Sequence, residues 1–222
     1  MTSGGGPVVV LDRDGTLNVE VHYLSHPDQV ELLPGVVEGL QALRAAGCRL
    51  VVVTNQSAIG RGYFDEACLQ TIHDRLQALL GEHGVTLDAI YHCPHIPEDG
   101  CQCRKPGTLL VEQAAAALDF DPTHVFVVGD KPCDIDLGRG LGATTLLVRT
   151  GYGSAHERSG DTSADFVVDD LRDASRVIIG RLRADRTGEM TQNRQHIRAR
   201  RHLEASIEVT RQTVDECLPS IV

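Results

Sequence analysis

Val8-Val9-Val10-Leu11-Asp12-Arg13-Asp14-Gly15-Thr16 is the stretch on which the reading of this chain turns. Its four apolar residues suit a short strand that is buried on both faces. Two carboxylates follow at once, two residues apart. That spacing sends Asp12 and Asp14 into one cavity while Arg13 turns away, and Gly15 permits a tight turn. Taken alone, such a pair reads as a solvated turn, so its meaning depends on the rest of the chain.

Similar β-branched runs recur at residues 50–54, 89–93, 125–128, 145–148 and 166–168. Between them lie apolar residues at helical spacing: Val36, Val37, Leu40 and Leu43, then Leu69, Ile72, Leu76, Leu79 and Leu80. Two-faced apolar strands separated by helices indicate an α/β fold with a doubly wound parallel sheet. Ligands in such folds bind outside the carboxyl ends of the strands. Polar residues gather at three of those ends: residues 12–16, Thr54-Asn55-Gln56-Ser57, and Gly129-Asp130-Lys131. Three strand ends of this kind predict one convergent site.

The totals limit what that site serves. With 222 residues the chain has room for one sizeable domain plus an appendage, and a net charge of −10 argues against a nucleic-acid face. A local basic pocket for a small anion remains compatible with an acidic whole. No stretch approaches the roughly 20 apolar residues of a membrane span. The start has neither the basic flank nor the apolar core of a signal peptide, so a cytoplasmic address follows by default. Seven cysteines, an odd number, read as thiols and metal ligands in preference to a disulfide framework.

A carboxylate near phosphorus can attack it and form an aspartyl-phosphate. Two carboxylates repel each other and the phosphate, so a divalent cation is required, and magnesium suits an all-oxygen set. Asp130, arriving from another strand end, is the natural third ligand beside Asp12 and Asp14.

Asp12 to Leu17, then Thr54-Asn55, then Lys105, then Gly129-Asp130 with Asp134 resembles the four ordered motifs of the haloacid dehalogenase (HAD) superfamily of phosphatases. The likeness covers about residues 7–150. It implies that Asp12 is the nucleophile and that Asp14 is the acid and then the base. Thr54 and Asn55 would donate to phosphate oxygens, and Lys105 would balance the transferring charge. Asp12, the main-chain carbonyl of Asp14, and Asp130 would hold magnesium. Asp134 would steer a metal-bound water or Lys105. Lys131 either reaches the site or is an exposed lysine.

A second constellation is Cys93-Pro94-His95 followed by Cys101-Gln102-Cys103. Three thiols and one imidazole form the ligand set of a closed structural zinc site. Zinc there would staple the loop that delivers Arg104 and Lys105; the bland reading is a cluster of free thiols. This loop, running into Arg104-Lys105-Pro106, resembles the HAD branch of heptose 1,7-bisphosphate phosphatases and histidinol phosphatases. Residues 54–62 are similar to the heptose members, with Gly and Ala exchanged at Ala58 and Gly60. The resemblance implies hydrolysis of the 7-phosphate of the heptose bisphosphate, with histidinol phosphate as the alternative substrate. A non-catalytic, zinc-stapled binding module is the reading from a different class. Gln56, Ser57, Arg61 and Arg104 are the candidate contacts to substrate, with Arg61 and Arg104 as clamps. His22, just past the catalytic turn, is a further candidate contact.

No insertion after Asp14 or after Phe64 is long enough for a bulky cap domain. The phosphatase domain is expected over residues 1–183, with a linker and C-terminal helix over residues 184–222. From His196 a heptad-like stripe runs through Leu203, Ile207, Val214 and Ile221. It reads as a helix folded back on the domain or one pairing with another subunit. Residues 202–209 also resemble the opening helix of sedoheptulose-7-phosphate isomerases, which implies an isomerase partner or ancestor.

Overall fold

The run at residues 8–11 forms β1 (Val8–Leu11), buried at every position, inside a six-stranded parallel sheet. The computed structural model describes residues 5–160, 162–185 and 187. In chain order the other strands are β2 (Arg49–Asn55), β3 (Ala89–Cys93), β4 (Val125–Gly129), β5 (Thr144–Val148) and β6 (Phe166–Val168). Their spatial order is β3-β2-β1-β4-β5-β6. The winding therefore reverses beside β1, which pairs β2 on one side and β4 on the other. That reversal opens a crevice at the strand ends. The Asp12 amide extends the ladder one step by donating to the Val128 carbonyl at 2.9 Å.

Helices α1 (Val36–Ala45), α2 (Ser57–Gly60), α3 (Glu66–Gly81), α4 (Leu109–Leu118), α5 (Pro132–Leu141) and α6 (Gly153–Ser159) form the crossovers. The apolar periodicity becomes their buried stripes: Val36, Leu40 and Leu43 on α1, and Leu69, Ile72, Leu76 and Leu80 on α3. Asp65 caps α3 by accepting from the Cys68 amide, and Pro132 opens α5 where no amide hydrogen is needed. Among the described residues, the connection from β1 to α1 holds one 3-10 turn (Pro27–Gln29), and the connection from β2 to β3 holds α2 and α3. The crevice is thus walled by loops.

The chain divides into a compact unit, Met1–Ile179, and a second unit, Gly180–Val222. In the second unit residues 180–185 are helical. The helix thus runs into the linker expected from residue 184: Ala184 and Asp185 precede Gly188, and neither breaks a helix. The helix expected from His196 and the stripe from Leu203 to Ile221 lie outside the described residues. Among the described residues no helix is long and apolar enough to cross a membrane.

Candidate active site

The ends of β1 and β2 and the residues after β4 open on a cavity of ≈ 310 Å³, with Asp12, Asp14, Thr54, Asn55 and Lys105 in its wall. Asp12 is 6% exposed, and its Oδ1 accepts from the Arg13 amide at 2.7 Å. Lys105 Nζ lies 2.7 Å from the same oxygen and 2.7 Å from Asp134 Oδ1, and it donates to the Val53 carbonyl. Burial alone would lower the pKa of Lys105. The charges of Asp12 and Asp134 outweigh that and raise it, so the ammonium stays charged. Asn55 fixes the backbone of this lysine from both sides: its Oδ1 accepts from the Lys105 amide at 3.0 Å, and its Nδ2 donates to the Lys105 carbonyl at 3.2 Å.

Asp14 stands beside Asp12 in the same wall, and the residue between them stays out of it. Arg13 is 1% exposed, and its guanidinium folds back on Asp14, with Nη2 2.7 Å from Oδ2 and Nε 3.1 Å from Oδ1. A charged side chain leaving a central strand cannot point into the apolar layer unpaired, so it takes the nearest carboxylate. Asn18 and Gln56 add hydrogen bonds to Asp14, each at 2.9 Å. Burial pushes the Asp14 carboxyl up, but the Arg13 charge and these donors together hold it below its ordinary value.

Gln56 Nε2 also donates to Thr54 Oγ1 at 2.8 Å. The Thr54 oxygen is thereby an acceptor, which leaves its own hydrogen to be donated into the cavity. Gln56 itself is only 5% exposed and spends its amide on protein groups. Ser57 lines the cavity one residue further on.

Asp130 follows β4 and is fully buried. Its Oδ2 accepts from the Tyr152 amide at 2.8 Å, whereas Oδ1 has no hydrogen-bond partner. Burial first, then the charges of Asp12 and Asp134, raise its pKa to about 8 against the opposing pull of Lys131. Gly15, at φ +84°, lets the turn pass so close that a Cβ there would sit 2.3 Å from Asp130 Oδ2. Asp12, Asp130 and Asp134 bring carboxylate oxygens within 4.8 Å of one another. An orphaned, buried oxygen in a cluster of hard acidic donors fits a divalent cation of the magnesium kind. Asp134 is largely engaged elsewhere, on Lys105 and on the Lys131 amide. Asp12 and Asp130 are therefore the side chains free to hold the ion.

The zinc ligands expected from sequence also come together, with donor atoms all within 4.8 Å and the pairs of Cys103 with Cys93 and His95 tighter than ideal tetrahedral spacing. Cys93 Sγ lies 3.6 Å from His95 Nδ1 and 3.6 Å from Cys101 Sγ, while Cys103 Sγ lies 3.2 Å from Cys93 Sγ and 3.2 Å from His95 Nδ1. Tetrahedral zinc spaces such donors by roughly 3.5–3.8 Å. The three cysteines are free thiols, and burial drives Cys93 up to about 12, so a cation is needed to draw out its thiolate. Cys93 ends β3 and packs into the core, which ties the loop to the sheet.

Of the two arginines, only Arg104 lines the cavity; its Nη1 donates to the His95 carbonyl at 3.2 Å. Arg61, the C-cap residue of α2, is exposed and absent from the cavity wall. Lys131 does reach the cavity, where it donates to Glu20 at 2.7 Å and lies 4.0 Å from Asp130 Oδ1. Glu20, Tyr23 and Tyr152 complete the wall without having been singled out from sequence, and His22 joins them. Tyr23 holds a left-handed backbone (φ 61°), and its ring meets His22 at a tilt and Tyr63 edge-on. That non-glycine strain has no signature in a sequence.

Comparison with known proteins agrees with this geometry. Residues 102–174 match the HAD-hydrolase-like family model. The D-glycero-beta-D-manno-heptose-1,7-bisphosphate 7-phosphatase of Pasteurella multocida is 40% identical over 179 residues, covering 78% of this chain and 96% of that protein. The enzyme of the same name from Escherichia coli K12 is 37% identical over 180 residues, covering 78% of this chain and 93% of that one. Among solved structures, the D,D-heptose 1,7-bisphosphate phosphatase of B. bronchiseptica, complexed with magnesium and phosphate, superposes with a TM-score of 0.74. It is 34% identical, covering 79% of this chain and 99% of that one. The Burkholderia thailandensis counterpart gives 0.62 at 35% identity, covering 78% of this chain and 99% of that one. With its Asp12-Arg13-Asp14 turn, acidic cluster and thiol-rich loop in place, the chain belongs to the HAD-like hydrolases, in the family of the heptose-1,7-bisphosphate 7-phosphatases.

Proposed function

We propose that this protein hydrolyses the 7-phosphate of D-glycero-D-manno-heptose 1,7-bisphosphate through an aspartyl-phosphate on Asp12. The observation that carries the reading is the pairing of Asp12 and Asp14 in one cavity whose wall also holds Lys105, Arg104 and the Thr54 hydroxyl. Cations and a directed hydroxyl receive the phosphate, and the carboxylates do the chemistry. The curated relatives bearing that activity support the choice of substrate.

In the first step an Asp12 oxygen bonds to phosphorus and the bond from phosphorus to the sugar O7 breaks. O7 leaves with a proton from Asp14. In the second step Asp14 takes a proton from water as the water oxygen attacks phosphorus, which frees Asp12 and phosphate. A phosphate dianion beside Asp14 adds like charge and raises its affinity for a proton, the direction an acid requires. Lys105, held on Asp12, offsets the charge that gathers on the transferring group. Magnesium bound by Asp12, Asp130 and the Asp14 carbonyl would neutralise charge between nucleophile and phosphate. Gln56 and Ser57 border the phosphate end, and Arg104 reaches toward the sugar or its second phosphate. Zinc on Cys93, His95, Cys101 and Cys103 is structural in this reading.

Residues 1–183 would carry this activity in the cytoplasm. Residues 184–222 would serve self-association or an isomerase partner. The test is phosphate release, with magnesium, from both anomers of the heptose bisphosphate and from histidinol phosphate. A large kcat/KM preference for a heptose anomer supports the reading. A preference for histidinol phosphate transfers the chemistry to the alternative substrate, and no release from any ester leaves a binding module.

A further inference from the structure

Asp14 is not free to face the leaving group on its own account. Its two oxygens receive Arg13 Nε and Nη2, Asn18 Nδ2 and Gln56 Nε2, a number of donors close to the lone pairs a carboxylate offers. Arg13 is the principal donor. The hydrogen bonds described for its side chain all end on Asp14, while its Nη1 is buried without a partner. A buried guanidinium whose remaining donor is left unsatisfied is costly to keep. Its fork geometry, by contrast, fixes the plane of a carboxylate in a way that a lysine cannot. Gln56 grips Oδ2, which Arg13 Nη2 also reaches, and joins it to Thr54, so acid and phosphate contact are set by one amide.

We infer that Arg13 is a positioning residue for the proton transfers of Asp14, orienting that carboxylate from behind the cavity wall without touching substrate. The inference rests on the assignment of Asp14 as proton carrier in the proposed reaction. It predicts a loss that depends on the leaving group. A sugar alkoxide needs a proton as it departs. The p-nitrophenolate of p-nitrophenyl phosphate leaves as a stable anion and needs none. An Arg13 variant should therefore be impaired on the first ester far more than on the second, as Asp14→Asn should be. A general loss of packing would impair both equally.

The experiment compares wild type, Arg13→Met, Arg13→Lys and Asp14→Asn on heptose bisphosphate and p-nitrophenyl phosphate, with magnesium. For Arg13→Met the expected result is a fall in kcat/KM, which reports only the steps up to departure of the leaving group and not the shared hydrolysis of the aspartyl-phosphate, on the order of 10²-fold for the sugar ester and less than about tenfold for the aryl ester. Arg13→Lys keeps the buried positive charge and loses the fork. It should show the same selectivity at roughly tenfold, and it stands in if the methionine variant does not fold. Equal losses on the two esters, or no loss on either, overturn the inference. Should wild type leave the heptose ester untouched, the substrate reading fails by itself. The same comparison is then made with glycerol phosphate as the alkyl ester, and it decides the role of Arg13 separately.

Discussion

The ammonium of Lys105 lies 2.7 Å from Oδ1 of Asp12, and both side chains are almost sealed from solvent, at 2% and 5% exposure. The lysine is therefore a counter-charge on which the fold depends, as well as the group that the proposed reaction sets against the transferring charge. Removing it leaves Asp12 and Asp134 side by side without compensation. Lys105→Met should abolish phosphate release and also destabilise the protein by about 3–5 kcal/mol. Denaturant titration without magnesium reads the second effect; an unchanged midpoint would mean that the pair is screened by water.

Asp130 makes the opposite trade. Its unpaired Oδ1, crowded by Asp12 and Asp134, is tolerable only with a proton or a cation. Asp130→Asn should raise the melting temperature of the metal-free protein. It should also remove the stabilisation that magnesium gives to wild type and abolish turnover. Thermal melts of both proteins, with and without magnesium, check all but the last.

The two arginines separate a cavity contact from a surface charge. Arg104 lines the cavity, and Arg61 does not. Arg104→Ala should raise KM for the bisphosphate by roughly tenfold or more, the worth of one charged hydrogen bond. Arg61→Ala should leave both kcat and KM within about twofold. Steady-state kinetics on the two variants decides the matter; an equal effect at Arg61 would show that the α2 turn closes over substrate.

Zinc removal should act on the active site at a distance. The thiol loop leads directly into Arg104 and Lys105, so a slackened loop misplaces the lysine. Metal analysis should find one zinc per chain. Cys101→Ser should lower both the melting temperature and kcat, the latter by about 10²-fold for a displacement of ~1 Å. Retained kcat in a zinc-free protein would refute the staple.

His73 supplies a pH dependence of stability opposite in sign to that of Asp130. It is 4% exposed on α3, and burial first, then the Arg13 and His92 charges, lower its pKa to about 3. The unfolded chain takes up a proton near 6.5, while the folded one refuses it until about 3. Stability from this site is therefore complete above 6.5 and is lost as pH falls from there. Between pH 7 and pH 5 His73→Gln should lose about 2 kcal/mol less than wild type. Chemical denaturation at the two pH values measures the difference.

The readable and unreadable parts of the site divide along a physical line. Val8–Leu11 and its partners announce themselves because burial on both faces of a parallel sheet forces unbroken apolar runs. Asp12, Thr54 and Asp130 then fall where those runs stop. The thiol loop was legible because four soft donors have little else to do together. The spacing takes Arg13 out of the cavity but does not reveal that its guanidinium folds onto Asp14, because alternation describes a strand and the chain has already left the strand there. For Arg61 the sequence gives a position just past a short helix but not the side chain's aim. Glu20 and Tyr23 lie in a connection with no periodicity, where only the folded backbone sets a side chain's aim.

Leu11 pairs with Val128 across β1 and β4, and the next rung is the Asp12 amide on the Val128 carbonyl. The identity of the attacking atom is therefore inherited from strand register. Slip β1 by one residue and Arg13 would stand where Asp12 does. A guanidinium grips a phosphate ester but has no lone pair with which to attack it, so the same chain would capture its ligand and never release it changed. Turnover and mere receptorhood differ here by one rung of a ladder. An insertion between Val8 and Asp12 would change what the protein is, whereas one between Val19 and Glu31 would change only what it admits.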